Sequence, residues 1–494
     1  MDRAAPPIAT EPPAMDSDLV VLLSRIQFAV TIGFHYLYPP LSIGLGLILV
    51  FMEGMFLRTG NVIYETMTRF WVRIFGLTFA MGVASGIVME FQFGTNWSAY
   101  SRFVGDIFGA ALAAEGIFAF FLESGFLAIL LFGWDKVAPR MHFLSTVLVC
   151  LGAHFSAVWI IVANSWQQTP AGYHLVENVG APRAELISFW EAVLNPSTLA
   201  RLTHVLLGAY ILAGFFVMSI TAFYLLRGRH QRFARRALVI GLLVSTFASL
   251  AQLVVGDWSA RVVARHQPLK LAAFDAIYNT EPRTPMFLFG FPDDERQTVR
   301  YGLRIPGLMS LLLHLDTEKP VTGLDSRPRD EWPPVALSFQ LYHVMIALGL
   351  FFVAVTLAGL FHLWRGTLFQ QRWYLKLLVP AVVLPYIANQ VGWGAAEVGR
   401  QPWIVYGLLR TRDAVSPAVK PYEVWVSLVL FTAIYLALFF VFLYVLDRKI
   451  RQGPEPLKPD DLAGGPHPPE DFLDAISRRG KMQFHATEEA QEGA

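Results

Sequence analysis

Long apolar runs alternate with short polar breaks along most of this 494-residue chain. The runs cover 19–51, 72–93, 107–132, 141–164, 202–226, 237–256, 335–364, 374–396 and 423–446. Each is long enough for a helix to cross a hydrocarbon core of roughly 30 Å, which takes about 20 residues. The pattern predicts an all-α polytopic membrane protein with nine transmembrane helices. Composition agrees: 54% of residues are hydrophobic and 16% charged, and the mean hydropathy is +0.46. That is far too apolar for a soluble enzyme of this size.

The polar breaks predict the orientation. RGRHQRFARR, between the fifth and sixth runs, carries Arg227, Arg229, Arg232, Arg235 and Arg236 with no acid; Arg365, Arg372 and Lys376 lie between the seventh and eighth. Such basic loops stay on the cytoplasmic side. Counting outward places the N-terminus outside and the C-terminus in the cytoplasm, where Arg448, Lys449 and Arg451 follow the last run. The expected organisation is an N-terminal extension (1–18), helices one to six (19–256), an external loop (257–334), helices seven to nine (335–450) and a disordered cytoplasmic tail (451–494), rich in Pro, Gly and charge. Residues 1–18 carry no basic stretch leading into an apolar core and a small-residue cleavage site, so the first run is expected to direct its own insertion. Within the loop, LKLAAFDAIYN (269–279) has helical spacing, and DTEKPVTGLDSRPRDEWPP reads as irregular. There is no internal repeat.

A net charge of +1, with no basic cluster interleaved with aromatics, gives no sign of nucleic-acid binding. Cys150 is the only cysteine, which excludes an internal disulfide, an iron–sulfur cluster and a cysteine metal site. A bound metal must use His, Met or carboxylate.

Candidate chemistry lies in the polar residues embedded in the runs. Glu115 and Glu123 interrupt the otherwise uncharged stretch 107–132. A charge at the centre of a membrane helix costs roughly 2.5–3.5 kcal/mol, so such groups usually face a bundle interior and serve ions, protons or cofactors. Eight residues of helix separate them by about 12 Å and within a quarter turn, a spacing suited to a proton relay. His35 lies well inside the first run and needs a partner there, either an iron or a hydrogen bond to another helix. His204 begins the fifth run and Met345 lies inside the seventh; on different helices at similar depth they suit the two sides of one six-coordinate haem iron, although for Met345 taken alone core packing is the better reading. Glu397 ends the eighth run and is followed by Gly399, Arg400, Gln401, Pro402 and Trp403. Glu397 and Arg400 suit a charge pair, or an acid for iron and a guanidinium for haem propionates, with Trp403 in the interfacial aromatic belt. His154 and His343 read as hydrogen-bonded bundle residues. His142, His230, His362, His467 and His485, in loops or at span ends on the cytoplasmic side, and His174, His266 and His314, outside the membrane, carry no assigned chemistry.

Together these residues resemble subunit I of the cytochrome bd family of quinol oxidases, over roughly residues 19 to 450. The resemblance rests on SRIQFAVTIGFHYLYPPL (24–41), MEFQFGTNWSAYSRFVGDIFGAALAAEGIFAFFLES (89–124), VANSWQQTPAG (162–172), QPLKLAAF (267–274) and GRQPW (399–403). It implies that His35 ligates a high-spin haem at the oxygen site, that His204 and Met345 are the axial pair of a low-spin haem b, and that Glu397 serves the second high-spin haem. Arg400, Trp403 and His343 then belong with the cofactor-binding set. Glu115 and Glu123 match the acids that bring protons from the cytoplasm, and Lys270 matches a loop lysine implicated in quinol oxidation. Asp275 stands where the family often has Glu, and His343 where some members have Arg; the second change implies a low-spin haem that is easier to oxidise. The implied cofactors are low-spin haem b, high-spin haem b, and haem d or a third haem b. The implied partners are ubiquinol or menaquinol, oxygen, a second membrane subunit and a small single-helix subunit. The implied location is the bacterial cytoplasmic (inner) membrane. The short external loop resembles the branch that includes cyanide-insensitive oxidases.

Two other classes compete. A haem–copper oxidase needs several clustered histidines, and the chain has no His-His or His-x-His. A proton-coupled transporter uses intramembrane acids equally well, but has no use for the His, Met, His and Glu set.

Overall fold

The structure, a computed structural model, describes residues 14–178 and 181–456. Among the described residues nine segments are helical, long and apolar enough to cross a membrane. The first consists of two helices, α1 (Ala14–His35) and α2 (Pro39–Thr59). The break has a local cause: Pro39 and Pro40 lack amide hydrogens, so they suit the first turn of a new helix and not the interior of an old one. His35 is thereby the last residue of α1, at a joint inside the bundle.

Gly60 caps α2 in the left-handed region, with φ 67°, and Asn61 opens α3 (Val62–Thr95) by accepting the Ile63 amide at 3.1 Å. The third span combines α4 (Ser98–Ala114), a π-helical segment at Glu115–Phe120, and α5 (Phe121–Phe132). α6 (Pro139–Gln168) is the fourth. A hairpin of β1 (Tyr173–Asn178) and β2 (Ala181–Leu186) and the short α7 (Phe189–Val193) lead to α8 (Thr198–Leu226) and α9 (Gln231–His266). The outer loop begins with α10 (Pro268–Phe274), then the antiparallel pair β3 (Met286–Asp293) and β4 (Thr298–Ile305), and α11 (Leu308–His314). α12 (Val335–Trp364) is the seventh span, α13 (Arg372–Ala381) with α14 (Val383–Val398) the eighth, β5 (Trp403–Val405) with β6 (Leu409–Arg410) a small hairpin, and α15 (Pro421–Gln452) the ninth.

Most spans extend a few residues beyond the predicted runs, and the largest differences lie around the outer loop. The sixth helix continues past 256 to His266, because its polar end is held by the Arg261–Asp257 pair at 2.7 Å, one turn apart. The external loop therefore starts at Gln267. Helical geometry in 269–279 stops at Phe274, and the β3–β4 hairpin was not anticipated. Its signal is two aromatic or β-branched runs around the polar turn DDERQ. The segment expected to be irregular does contain only short 3-10 turns at Leu324–Ser326 and Arg329–Glu331. The expected tail lies beyond the described residues from 457 onward, as does the extension before Ala14.

α8 is the axis of the bundle, with 78% of its apolar window buried, against 17% for α15 at the periphery. The connections 227–230 and 365–371, which carry Arg227, Arg229 and Arg365, lie at one end, the basic end, and the outer loop lies at the other. Toward the basic end the core is apolar and aromatic, with Phe70, Trp71, Tyr224 and Phe233 interlocked. Toward the loop end it becomes polar, and the candidate residues gather there.

Candidate functional site

Four helix ends build a buried polar layer at the loop end: the last turns of α6 and α14, the first of α8, and α10. Glu397 anchors it. Its Oε1 accepts Asn164 Nδ2 at 3.1 Å and Gln168 Nε2 at 3.3 Å, and its Oε2 pairs with Arg400. Arg400, with a nearly fully buried side chain, also donates to Gln167 Oε1 at 2.7 Å. Arg201 donates to the Asn164 side-chain oxygen, and Gln167 donates to the Tyr100 hydroxyl. The i,i+3 spacing of Glu397 and Arg400 puts the pair on one face where α14 ends. A carboxylate has about four acceptor positions, so three donors leave one for an iron.

Lys270 joins this layer from the loop. Only 2% exposed, its Nζ donates to Gln168 Oε1 at 2.7 Å and to Gln267 Oε1 at 3.2 Å. Burial first, then the nearby Arg201 and Arg400 cations against the opposing pull of Glu397, hold the amine well below its usual pKa. In its neutral form the amine would give its two hydrogens to the two amide oxygens and keep one lone pair to accept a proton.

Asp275 stands apart from Lys270. It is fully buried, neither carboxyl oxygen has a hydrogen-bond partner, and burial pushes its pKa up to about 8. The adjacent Phe274 ring is stacked on Tyr342 of α12 at 4.5 Å and 9°, and Phe274 and Lys270 both pack beside Gly399, just after α14.

The other three candidate iron ligands lie on α1, α8 and α12. His35 Nδ1 lies 3.0 Å from Ser85 Oγ, whose own hydroxyl donates to Met81 O at 2.7 Å. With its single proton so used, Ser85 accepts from His35 Nδ1–H, an assignment made from the hydrogen-bond pattern, and this leaves the Nε2 lone pair for a metal. Gly86 makes room for the ring: a Cβ there would meet His35 Cε1 at 3.2 Å. His204 Nδ1 is buried without a partner. Met345 faces Gly392 of α14, where a Cβ would lie 2.8 Å from its sulfur. Among the described residues no three His, Cys, Asp or Glu side chains form a cage for a bare metal ion. One or two isolated axial groups are what an iron already held by a macrocycle needs, so this donor set fits haem.

His343 has both ring nitrogens engaged, Nδ1 with Phe339 O at 2.9 Å and Nε2 with Phe287 O at 2.7 Å. With Gln340, which donates to Gly290 O at 2.7 Å, it ties β3 to α12 and offers no nitrogen to iron. His154 is also saturated, by Cys150 O and the Tyr210 hydroxyl, as its reading as a bundle residue expects. Trp403 lies in β5 with the Arg410 guanidinium over its ring at 5.2 Å.

Glu115 and Glu123 both meet α6. Ser156 donates to Glu115 Oε1 at 3.0 Å, and Glu123 packs on Gly152, where a Cβ would lie 2.6 Å from its Cγ. Gly152 and Ser156 are one turn apart, so a single stripe of α6 receives both acids. The π-helical segment between the acids helps set that register; such bulges recur at functional sites.

Asn164, Gln167, Gln168 and Arg201 were missed by sequence reasoning. The available signal was the amide-rich NSWQQ at the end of an apolar run, a costly place for amides unless they have partners.

The fold is that of a polytopic helical membrane protein, and its buried donor set is of a kind that fits haem. The chain belongs to the cytochrome bd terminal oxidase subunit I family, whose family model matches residues 23–454. It is 36% identical over 505 residues to cytochrome bd-II ubiquinol oxidase subunit 1 of Escherichia coli (strain K12), covering 89% of this chain and 98% of that one. It is 34% identical over 445 residues to cytochrome bd ubiquinol oxidase subunit 1 of Bacillus subtilis (strain 168), covering 88% and 94%. The solved bd oxidase from Geobacillus thermodenitrificans matches with a TM-score of 0.82 and 33% identity, covering 88% of this chain and 99% of that chain.

Proposed function

We propose that the chain oxidises quinol at its loop end and supports reduction of oxygen to water inside the bundle. The observation that carries this reading is the buried series Lys270, Gln168, Glu397, Arg400, which joins the outer loop to the haem-holding layer through side chains alone. His204 and Met345 would hold a low-spin haem b, His35 one high-spin haem and Glu397 the other, with Arg400 balancing charge beside it. Haem supplies one-electron transfer and, where one axial position stays open, oxygen binding.

The protein's own groups handle position and protons. Lys270 in its neutral form offers a lone pair to a quinol hydroxyl, and Asp275, five residues further along the loop, offers a buried carboxyl. Gln168 and Gln267 hold the amine in place. Glu123 and Glu115 carry protons inward along the α6 stripe. With the basic end in the cytoplasm and the N-terminus outside, quinol protons leave on the outer face and those entering water come from inside, so charge separates without a pump. The remaining parts of the proposal are a second membrane subunit, a small single-helix subunit, ubiquinol or menaquinol as donor, haem d or a third haem b at the oxygen site, and the bacterial inner membrane. Pigment extraction distinguishes the two haems.

The test is a reduced-minus-oxidised spectrum with quinol-driven oxygen uptake. Low-spin haem b absorption with uptake supports the reading; a colourless protein supports the transporter.

A further inference from the structure

Part of the positive charge of the basic end gathers in one cleft between the ends of α8 and α15. α8 stops at Gly228, whose φ of 68° suits a residue without a Cβ, and the Arg229 amide turns back to Tyr224 O at 2.9 Å. Arg227 and Arg229 thus flank a tight turn and leave the helix together. α15 is pinned against them: Tyr224 donates its hydroxyl to Ile450 O at 2.6 Å, and the Arg229 guanidinium donates to Arg451 O at 3.1 Å. The cleft between them has a volume of about 520 Å³ and is lined by Phe223, Arg227, Arg229, Asp447, Ile450 and Arg451.

Three guanidiniums therefore share the cleft with one carboxylate. Asp447 is engaged by Arg451 at 2.7 Å, one turn away. Arg227 lies over the Phe223 ring at 5.7 Å and Arg229 donates to a carbonyl, so among the described residues neither is paired with a carboxylate. The C-terminal ends of α8 and α15 add about half a negative charge each, which leaves a surplus of about one positive charge. A phosphodiester carries one negative charge and offers acceptor oxygens that guanidiniums grip as forks. A phosphate monoester carries roughly 1.5–2 and would overfill the cleft.

The surrounding surface favours a diester that belongs to a lipid. Phe440, Tyr444, Asp447 and Arg451 follow one another at helical spacing on one face of α15. Phe440 and Tyr444 are 66% and 68% exposed, so that face runs as an open apolar lane up to the charged rim. Phe223 and Ile450 give the cleft an apolar floor. Acyl chains fit the lane, a glycerol backbone fits the floor, and the phosphate meets the arginines where the spans end, at headgroup depth.

We propose that this cleft binds the headgroup of one anionic phospholipid, with Arg227 and Arg229 holding the phosphodiester and Arg451, fixed by Asp447, closing the rim. A zwitterionic lipid brings the same phosphate together with a cation, which the three guanidiniums repel, so it binds more weakly. The site involves none of the haem, quinol or proton groups.

The experiment uses the complete, haem-loaded complex, washed in detergent and then titrated with phosphatidylglycerol, phosphatidylcholine or inorganic phosphate. The thermal midpoint, followed by loss of haem absorbance, reads binding, because a ligand of the folded state raises it. Extraction of the washed complex counts retained phospholipid as a second readout. Phosphatidylglycerol is expected to raise the midpoint at concentrations where the other two do not. Arg227→Gln and Arg229→Gln should each weaken the apparent affinity by about fivefold, and together by on the order of thirtyfold. Asp447→Asn, which removes the competing carboxylate, should strengthen it. Equal responses to phosphatidylglycerol in the wild type and the double variant overturn the proposal, as does an equal effect of phosphatidylcholine. Inorganic phosphate matching phosphatidylglycerol shows a free-anion site and overturns the lipid assignment. A wild type that neither responds to phosphatidylglycerol nor retains it leaves the cleft to an acidic protein segment and overturns the proposal as well. If the double variant does not assemble, unchanged affinity in both Arg229→Gln and Asp447→Asn overturns it instead.

Discussion

Lys270 and Glu397, on different elements at the loop end, share one neighbour: Gln168 accepts from the lysine through its oxygen and donates to the carboxylate through its nitrogen. No other amide orientation serves both partners. Replacing Gln168 with Leu leaves a buried amine hydrogen without an acceptor and removes one donor from Glu397, a cost of about 1–3 kcal/mol for each unsatisfied group. Gln168→Leu is expected to raise the quinol KM by about tenfold while the haem spectrum persists, since Asn164 and Arg400 still hold Glu397. Steady-state oxygen uptake against quinol concentration checks it, and an unchanged KM removes Gln168 from the quinol path.

Asp275 gives a pH dependence of definite sign. Its pKa is raised from 3.8 to about 8 by burial, so the folded protein keeps this proton between those values while the unfolded chain has lost it. Stability from this group therefore falls as pH rises through that window and levels off above about 8. Asp275→Asn cannot titrate, so its thermal midpoint, followed by loss of haem absorbance, should fall less between pH 5 and pH 8 than that of the parent. Parallel slopes would show that the carboxyl is not buried in the assembled enzyme.

Much of the architecture is legible in the sequence because bilayer insertion writes a strong, local signal. Nine apolar runs become nine spans, and Pro39-Pro40 marks the break after His35. Candidate site residues were legible where a polar residue stands inside or at the end of such a run, as with Glu115, Glu123, His35 and Glu397. It was not legible where the meaning of a residue comes from a partner on another helix. Gln168 is an ordinary amide until Lys270 and Glu397 are set on either side of it, and His142 an ordinary span-end histidine until α2 brings Glu53 within 2.6 Å. His343 reads from the sequence as a hydrogen-bonded bundle residue, and what the helical pattern does not show is its partner, the strand at Phe287 that takes its ring nitrogen.

Separate substitutions should divide electron entry from proton supply. His204 Nδ1 has no protein partner, so His204→Ala removes little hydrogen bonding and is expected to leave the fold intact while abolishing the low-spin haem signal and quinol oxidation. Glu123→Gln keeps the shape of a side chain packed on Gly152, so it should retain all haems and lower turnover by about tenfold or more. Difference spectra and oxygen uptake on both variants check this. Wild-type behaviour in both would remove the assignments.

Arg400 is predicted to be the most sensitive residue of the layer, because it neutralises a carboxylate that nothing else charged touches directly. Its guanidinium spans two partners, Glu397 and Gln167, a fork that a lysine ammonium cannot reproduce. Removing one member of a buried pair costs roughly 3–5 kcal/mol, since the other charge remains without compensation. Arg400→Met should therefore lower the thermal midpoint and deplete the high-spin haem beside Glu397, with Arg400→Lys intermediate. The double variant Arg400→Met with Glu397→Gln, which removes both charges, should regain much of the stability but not the haem. Haem content and thermal midpoints across this cycle check the argument: a double variant no more stable than Arg400→Met would show that the loss comes from packing around the guanidinium and not from the stranded carboxylate.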